Sequence, residues 1–383
     1  MTRQPLGVDD LTAVVRAVFG AGRRAAGVER LRGGSRKGVY RLTLDDGATV
    51  VVYVWNAGED YWPPTTDRPD PFGHPGGVDR FEAAHTTLSS IGVRVPRILL
   101  LDRGGKLVAG DLAVVEDVAG GTLERLRERD PRRAGPVLAR LGDTVRVMHA
   151  HHRHRYGRPG RPAPADAPPV PGLVLDRALG HLAGAAARVE RIAALAPRLA
   201  DELRDRHAAV GPRTGYGLIH GELGPDHVLV DDRDGPVLID IDGVRYFDVE
   251  WEHAFLELRF GAGYRRLAAP GLDTARLRLY RLALYLSLVE GPLRLLDGDF
   301  PDRAGMRAIA AANIDRTVAE LSARRRSALD GRGGSKVSTT GPGAVLVFRP
   351  VVAAWQGPGW SGGRGQQPGD EVLDEGVGPV RGQ

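Results

Sequence analysis

Residues 217–243, GLIHGELGPDHVLVDDRDGPVLIDIDG, decide the fold of this chain. Two short apolar strands, 227–231 and 236–241, are joined there by a turn rich in Asp and Gly. Polar side chains precede and follow these strands: His220, Glu222, Asp226, His227, Asp240 and Asp242. Such a cluster can hold a divalent ion beside a general base, which phosphoryl transfer requires. The residues alone leave one alternative open, a surface hairpin whose loop is stabilised by its own Asx-type hydrogen bonds.

The chain upstream of this segment has the pattern of a lobe built on an antiparallel sheet. Residues 45–47, Asp-Asp-Gly, form the turn of a hairpin, and a helix predicted over 81–92 ends at a glycine. The predicted strands are 27–33, 39–44, 48–55, 97–101 and 112–118. We therefore expect three to five antiparallel strands and one major helix, with a long Pro-, Gly- and Asp-rich loop at 56–77.

From Leu123 onward the sequence has helical periodicity. The predicted helices are 134–150, 174–210, 250–260, 272–296 and 303–328, with a Pro-rich loop at 158–172. Beyond residue 330 the composition is too poor in apolar residues to offset the entropy of ordering, so we expect disorder. The predicted organisation is an α+β chain with an N-terminal lobe, a mainly helical C-terminal lobe and a low-complexity tail: 1–118, 119–330 and 331–383.

The composition of the chain argues against several classes of protein. Cysteine is absent, which excludes disulfides and thiolate metal sites and is typical of a cytoplasmic protein. No secretory signal and no long apolar run is present, so we expect no membrane partner. The 53 Lys and Arg residues exceed the 48 Asp and Glu residues by only five, and no DNA-binding motif accompanies them. We therefore expect scattered, solvated arginines and no nucleic-acid partner.

The order and spacing of residues 217–243 resemble the aminoglycoside phosphotransferase and choline-kinase-like family. The tetrapeptide at 220–223, His-Gly-Glu-Leu, is similar to the family's catalytic loop His-Gly-Asp-Leu, and His227 stands where the family has Asn. Ile239-Asp240 corresponds to the second metal-binding signature, and residues 247–252, FDVEWE, resemble the stretch that follows it. This resemblance implies a bilobal protein-kinase-like fold, with an antiparallel N-lobe and a mainly helical C-lobe.

Motifs in the N-terminal lobe agree with the same family in their order. Residues 31–42, LRGGSRKGVYRL, read as a strand, a Gly-rich turn and a strand, as in a loop that closes over nucleotide phosphates. Glu82 followed by Val95-Pro96 matches the family's helix Glu and Val-Pro turn, and residues 114–118 resemble the inter-lobe hinge. The resemblance implies these nucleotide-binding residues: Gly33, Gly34, Ser35, Gly38, Tyr53, Glu82, Glu116 and Val118.

The activity implied by the resemblance is transfer of the γ-phosphoryl group of ATP to a hydroxyl of a small molecule. Glu222 and His220 would be the catalytic residues, with Glu222 as the base or orienting group. Asp240, His227 and Asp242 would hold Mg²⁺, the second cofactor besides ATP. Glu82 would fix the cation that neutralises the phosphates.

The acceptor is expected to lie against the C-terminal helices. Residues 251–330 contain 10 Asp or Glu and 13 Arg, which disfavours a polycationic antibiotic. A local acidic patch nevertheless remains open around Asp297, Asp299 and Asp302. A neutral or anionic hydroxylated metabolite, or a macrolide-like antibiotic, is as consistent with the sequence.

Three residues depart from the family pattern. Glu222 replaces the catalytic Asp, His227 replaces the metal-binding Asn, and Tyr53 stands where the third strand should carry a Lys. Cations near the Gly-rich turn are candidates to replace that lysine: Arg36, Lys37 and Arg41. These departures leave a second hypothesis, a catalytically degenerate kinase-like protein that binds nucleotide or a small ligand without turnover.

Overall fold

An antiparallel five-stranded sheet forms the N-terminal lobe in a computed structural model that describes residues 3–31, 33–62 and 77–330. Its strands are β1 (Ala25–Arg30), β2 (Gly38–Leu44), β3 (Thr49–Trp55), β4 (Ile98–Asp102) and β5 (Asp111–Glu116), in the spatial order β1-β2-β3-β5-β4. The predicted tail at 331–383 lies outside the described residues.

The two faces of this sheet are covered by different helices. Alternate residues of β2, Tyr40, Leu42 and Leu44, pack on one face in a cluster that includes α1 (Thr12–Phe19). On the other face, residues of β3 join the main core together with Phe81 of α2 (Val78–Ser90). Because β3 is buried on both faces, its sequence TVVVYVW is apolar throughout.

Helices make up most of the C-terminal lobe. They are α3 (Leu123–Arg129), α4 (Pro131–Ala150), α5 (Val170–Ala186), α6 (Glu190–Ala193), α7 (Ala196–Ala208), α8 (Val249–Phe260), α9 (Thr274–Leu296) and α10 (Arg303–Asp330). Asp130 ends α3 and begins α4, because its side chain accepts a hydrogen bond from Arg133 N (3.0 Å) directly before Pro131. In the described part of the chain, no helix is both long enough and apolar enough to span a membrane.

Short strands connect the helices and carry the polar segment at 217–243. A small sheet has the order β6-β9-β12-β7-β8, and a separate hairpin pairs β10 with β11. The strands are β6 (His152–Arg153), β7 (Gly157–Arg158), β8 (Arg161–Pro162), β9 (Tyr216–Ile219), β10 (Val228–Val230), β11 (Pro236–Leu238) and β12 (Arg245–Phe247). The loops after β9 and β11 therefore meet at one edge of the C-terminal lobe, facing the sheet of the N-terminal lobe.

The α+β, two-lobed architecture confirms the predicted fold class, while several elements differ from prediction. The long helix predicted over 174–210 is divided among α5, α6 and α7, and Pro197 lies in the first turn of α7. The Pro-rich loop predicted at 158–172 contains part of the β7–β8 hairpin. Six short elements were not predicted, and each is at most seven residues long: α3, β6, β7, β8, β9 and β12.

Candidate active site

The loop between β9 and β10 begins with a buried histidine. His220 has no exposed surface, and its Nε2 donates a hydrogen bond to the carbonyl of Ile239 at 2.9 Å. Burial, followed by the charge of His227, lowers the pKa of His220 to about 4, so its imidazole is neutral near pH 7. This placement corrects the expectation that His220 takes part directly in catalysis, because a side chain without exposed surface cannot contact an acceptor. His220 instead fastens the loop to the strand that precedes Asp240.

Glu252 of α8 holds the same loop through its backbone. Its carboxylate accepts hydrogen bonds from the N–H groups of His220, Gly221 (3.3 Å) and Leu223 (3.4 Å). Burial raises the pKa of Glu252 to about 7, although the three N–H donors oppose that shift. Sequence reasoning included Glu252 in the 247–252 stretch but assigned it no role. An acidic residue within an otherwise buried helix was the available signal.

Glu222 is the exposed residue of the loop. Its carboxylate forms no hydrogen bond or ion pair with any side chain or backbone group among the described residues, so it is available to an external ligand. Its backbone carbonyl, in contrast, accepts a hydrogen bond from His227 Nδ1 at 2.8 Å. The loop therefore fixes the backbone at Glu222, while the carboxylate of Glu222 remains exposed and makes no hydrogen bond to the described residues.

His227 lies between two carboxylates. Its Nε2 is 3.5 Å from Asp226 Oδ2 and 3.6 Å from Asp240 Oδ2. Burial opposes a charged ring, yet the Asp226 and Asp240 carboxylates raise the pKa of His227 above its usual value. Asp226 is in turn held by Arg259 at 2.6 Å, a contact that sequence reasoning missed because Arg259 lies 33 residues away.

The described residues contain no group of three or more His, Asp or Glu side chains arranged to hold a metal ion. The predicted three-residue set of Asp240, His227 and Asp242 is therefore not assembled, because one nitrogen of His227 is used by a carbonyl and the other faces carboxylates. The two aspartates alone still fit Mg²⁺, which commonly binds one or two carboxylates together with phosphates and water. Asp242 Oδ1 supports that fit, since it is buried and accepts no hydrogen bond within the described chain.

Asp240 and Asp242 converge on a lysine from the other lobe. Lys37 Nζ is 2.7 Å from Asp240 Oδ1 and also bonds Asp242, with only 7% of its side chain exposed. Burial disfavours each charge, but the Lys37 ammonium holds the pKa of Asp240 well below its usual range, and the aspartates raise the pKa of Lys37. Asp240 itself has a φ of 56°, an uncommon backbone conformation for a residue other than glycine.

The turn that carries Lys37 connects β1 to β2 and contains the predicted phosphate-binding glycines. Gly33 and Gly34 have φ values of 102° and 75°, which only glycine adopts readily. Ser35 is tied to the segment after β3, because its carbonyl accepts from Tyr61 N and its hydroxyl from Trp62 Nε1, both at 2.8 Å. Gly38 begins β2 under the Tyr40 and Glu59 side chains, where an added Cβ would lie within 3 Å of both.

The remaining predicted residues lie at three different places around the cleft. The Tyr53 ring faces Lys37, with Nζ 5.2 Å from its centroid. Glu82 does not approach the cleft cation, because its carboxylate pairs with Arg103 in a half-exposed contact. At the hinge, the Glu116 carboxylate binds Arg94 (2.7 Å), and Val118 packs with Leu229 and Val237 of the β10–β11 hairpin.

Two lobes joined by a hinge, with a polar loop and two aspartates facing a Gly-rich turn, constitute the protein-kinase-like class of small-molecule phosphotransferase folds. Within that class, the phosphotransferase enzyme family is matched over residues 27–287, and this chain belongs to that family. No protein with a curated description matches the chain in sequence.

Solved structures with the same fold include two antibiotic phosphotransferases. A thermostable mutant of aminoglycoside phosphotransferase APH(4)-Ia superposes with a TM-score of 0.59 at 15% identity, covering 82% of this chain and 99% of that one. Spectinomycin phosphotransferase APH(9)-Ia, in complex with ADP and spectinomycin, gives a TM-score of 0.58 at 12% identity, covering 83% of this chain and 99% of that one. At these identities the likeness establishes the fold alone.

Proposed function

We propose that this chain is an ATP-dependent phosphotransferase that moves the γ-phosphoryl group to a hydroxyl of a small molecule. One observation carries the proposal. The uncommitted carboxylate of Glu222 lies on the same loop as His227, which contacts Asp240, and Asp240 binds the cation of the Gly-rich turn. A free base, two acidic residues and a cation on the Gly-rich turn are the parts that phosphoryl transfer requires.

In the proposed reaction, Glu222 orients the acceptor hydroxyl and takes its proton. The hydroxyl oxygen forms a bond to the γ-phosphorus, while the bond from that phosphorus to the bridging oxygen of ADP breaks. Asp240 and Asp242 would hold Mg²⁺, which when bound neutralises charge on the phosphates. His227, His220 and Glu252 position the loop without contacting the acceptor.

The nucleotide would lie between the Gly-rich turn and the β10–β11 hairpin. Gly33, Gly34 and Ser35 of the turn would cover the phosphates, and the apolar side chains of Val118, Leu229 and Val237 would provide a surface for the adenine ring. The N–H of Glu116 already donates to Arg97 O at 2.9 Å, so we assign the adenine contacts to the carbonyl of Glu116 and the backbone of Val118. Glu82 has no role in this arrangement.

The charges around the acceptor site favour a neutral or anionic molecule over a polycation. Two of the three acidic residues of the patch that the sequence left open have cationic partners, because Asp297 pairs with Arg188 (2.7 Å) and Asp299 pairs with Arg3 (2.9 Å). Arg80 adds positive charge near Glu222 and Asp242. Burial, followed by the charge of Arg158, lowers the pKa of Arg80. We therefore rank hydroxylated metabolites and macrolide-like molecules above aminoglycosides as acceptors.

The test is ADP formation from Mg-ATP with a panel of neutral, anionic and cationic hydroxylated molecules. We expect Glu222→Gln to lower the kcat for the accepted substrate by about 10²–10⁴-fold, the range for loss of a general base. Glu257→Gln is a matched control, because Glu257 lies on α8 in an exposed pair with Arg281. Equal activity of the wild type and Glu222→Gln would refute the assigned role.

A binding protein without turnover is the second candidate. This second candidate is favoured by the position of Lys37, whose ammonium binds both aspartates that would otherwise hold a metal ion. A thermal-shift titration with ATP, with and without Mg²⁺, separates the two functions. Stabilisation by ATP without turnover of any acceptor supports the second candidate, and the absence of any stabilisation contradicts both.

A further inference from the structure

The ammonium of Lys37 has an unusual set of neighbours for a lysine on a surface turn. Besides Asp240 and Asp242, it lies over the rings of Tyr53 and Trp55, 5.2 and 5.9 Å from their centroids. Both rings belong to β3, and Tyr53 stands at the position where the family pattern has a lysine. The ammonium of Lys37 therefore lies beside the position of that missing lysine. Carboxylates on one side and aromatic faces on the other form a complete cation site.

That site coincides with the position a metal ion would take. A divalent ion held by both aspartates would lie within a few ångströms of the ammonium, where repulsion between a +2 and a +1 charge amounts to several kcal/mol even at an effective dielectric constant of about 20. The two cations therefore exclude each other. Asp242 Oδ1 accepts no hydrogen bond from the described residues. The lysine therefore satisfies fewer of the aspartate oxygens than a metal ion could.

The turn that carries Lys37 lies mostly outside the pairing of β1 with β2. Leu31 N still donates to Val39 O at 2.8 Å, but residues 33–37 belong to no strand. Gly33 and Gly34 give that segment backbone conformations that other residues rarely adopt. A lysine side chain anchored in such a turn can change its partner without disturbing the pairing of β1 with β2.

We propose that Lys37 is a tethered cation that occupies the metal position in the nucleotide-free protein and moves to the nucleotide phosphates when a divalent ion binds Asp240 and Asp242. The proposal rests on the proposed function for its second half only. The displacement of the lysine by the metal concerns the chain's own residues and holds with or without turnover. It also accounts for Tyr53, since a cation supplied by the turn makes a lysine on β3 unnecessary.

The test measures Mn²⁺ binding, by the loss of the free-ion EPR signal, to the full chain without nucleotide. Lys37→Met removes the competing cation, so we expect its Mn²⁺ affinity to rise by at least about tenfold, a small part of the repulsion between neighbouring charges. Lys106→Met, an exposed lysine outside the site, is the control and should bind Mn²⁺ as the wild type does. Unchanged or weaker Mn²⁺ binding by Lys37→Met, or no Mn²⁺ binding by either protein, would overturn the proposal.

A second measurement follows the lysine to the phosphates. Lys37→Met should bind ADP in the presence of Mn²⁺ at least about tenfold more weakly than the wild type, because one charge-assisted contact is lost. Adding Tyr53→Lys to Lys37→Met supplies an ammonium from β3 and should restore ADP affinity, which also shows that the variant is folded. Tighter Mn²⁺ binding with unchanged ADP affinity would refute the transfer to phosphates. Absence of turnover in the wild type, with these binding changes intact, would refute only the proposed function.

Discussion

Replacement of Glu252 tests whether one buried carboxylate holds the catalytic loop in place. Glu252 is 1% exposed and accepts hydrogen bonds from three N–H groups of the loop backbone. A buried N–H group without a partner destabilises a protein by about 1–3 kcal/mol, so Glu252→Ala, which leaves three such groups, should lose on the order of 3–9 kcal/mol. That is a large fraction of the 5–15 kcal/mol by which domains are typically stable. The measurement is the free energy of unfolding from urea denaturation.

Glu252→Gln separates loop geometry from global stability. Glutamine retains one oxygen, which can still accept from the N–H groups of His220 and Gly221. We therefore expect the free energy of unfolding to fall by only about 1–2 kcal/mol, mainly because the hydrogen bond from Leu223 N is lost. A displacement of the loop by about 1 Å would still lower kcat by about a hundredfold, with the KM for ATP little changed. Glu257→Gln on the same helix is the control. If Glu252→Gln reduces kcat no more than this control does, the carboxylate does not position the loop.

Three further predictions concern pH, the hinge and the buried ion network. Burial raises the pKa of Glu252 to about 7, above its unfolded value of about 4.5. Between these two pKa values the folded state holds a proton on Glu252 that the unfolded state has lost, so stability should fall as pH rises from about 4.5 to 7. The slope should be at most about 1.4 kcal/mol per pH unit, and Glu252→Gln should abolish it. Gly120→Ala would bring a Cβ to 1.5 Å from Val230 O and should reduce stability by about 3 kcal/mol or more in urea denaturation. Gly121→Ala, with open space and φ of 76°, should reduce it by only about 1–2 kcal/mol. Asp248→Asn removes the charge that binds Arg276 (3.0 Å) and Tyr280, and should lower the thermal midpoint through a loss of about 3–5 kcal/mol; a loss below 1 kcal/mol would contradict it.

The sequence predicted the fold where a periodic pattern was long. The alternation in β2 and the apolar run of β3 indicated a sheet, and the five antiparallel strands confirm that prediction. It could not predict β9 and β12, whose three or four residues are strands because they pair with each other, at Leu218 and Tyr246, and with β6 and β7. Such pairing depends on tertiary contacts, which a local pattern does not contain.

The candidate site shows the same division between local and distant information. Glu222, His227 and Asp240 lie within one segment, so their spacing could indicate that they act together. Lys37 is 203 residues from Asp240, and sequence reasoning could offer it only as one of three cations. Glu82 was assigned to that cation because of its position in α2, yet Arg103 is its partner. Which cation meets which carboxylate depends on how the two lobes pack, and spacing along the chain carries no information about that.

The three departures at 222, 227 and 53 have different consequences once the partners are known. Glu222 keeps the carboxylate and remains free of protein partners, so its extra methylene affects alignment and leaves the chemistry unchanged. His227 removes an oxygen ligand and places an imidazole ring beside Asp240, which leaves two carboxylates for the metal ion. Tyr53 removes a cation from β3, and the Gly-rich turn supplies one at the same place through Lys37. The changes at 227 and 53 thus both act on the charge at Asp240, and in the proposed reaction turnover would depend on how readily a divalent ion displaces Lys37 from that residue.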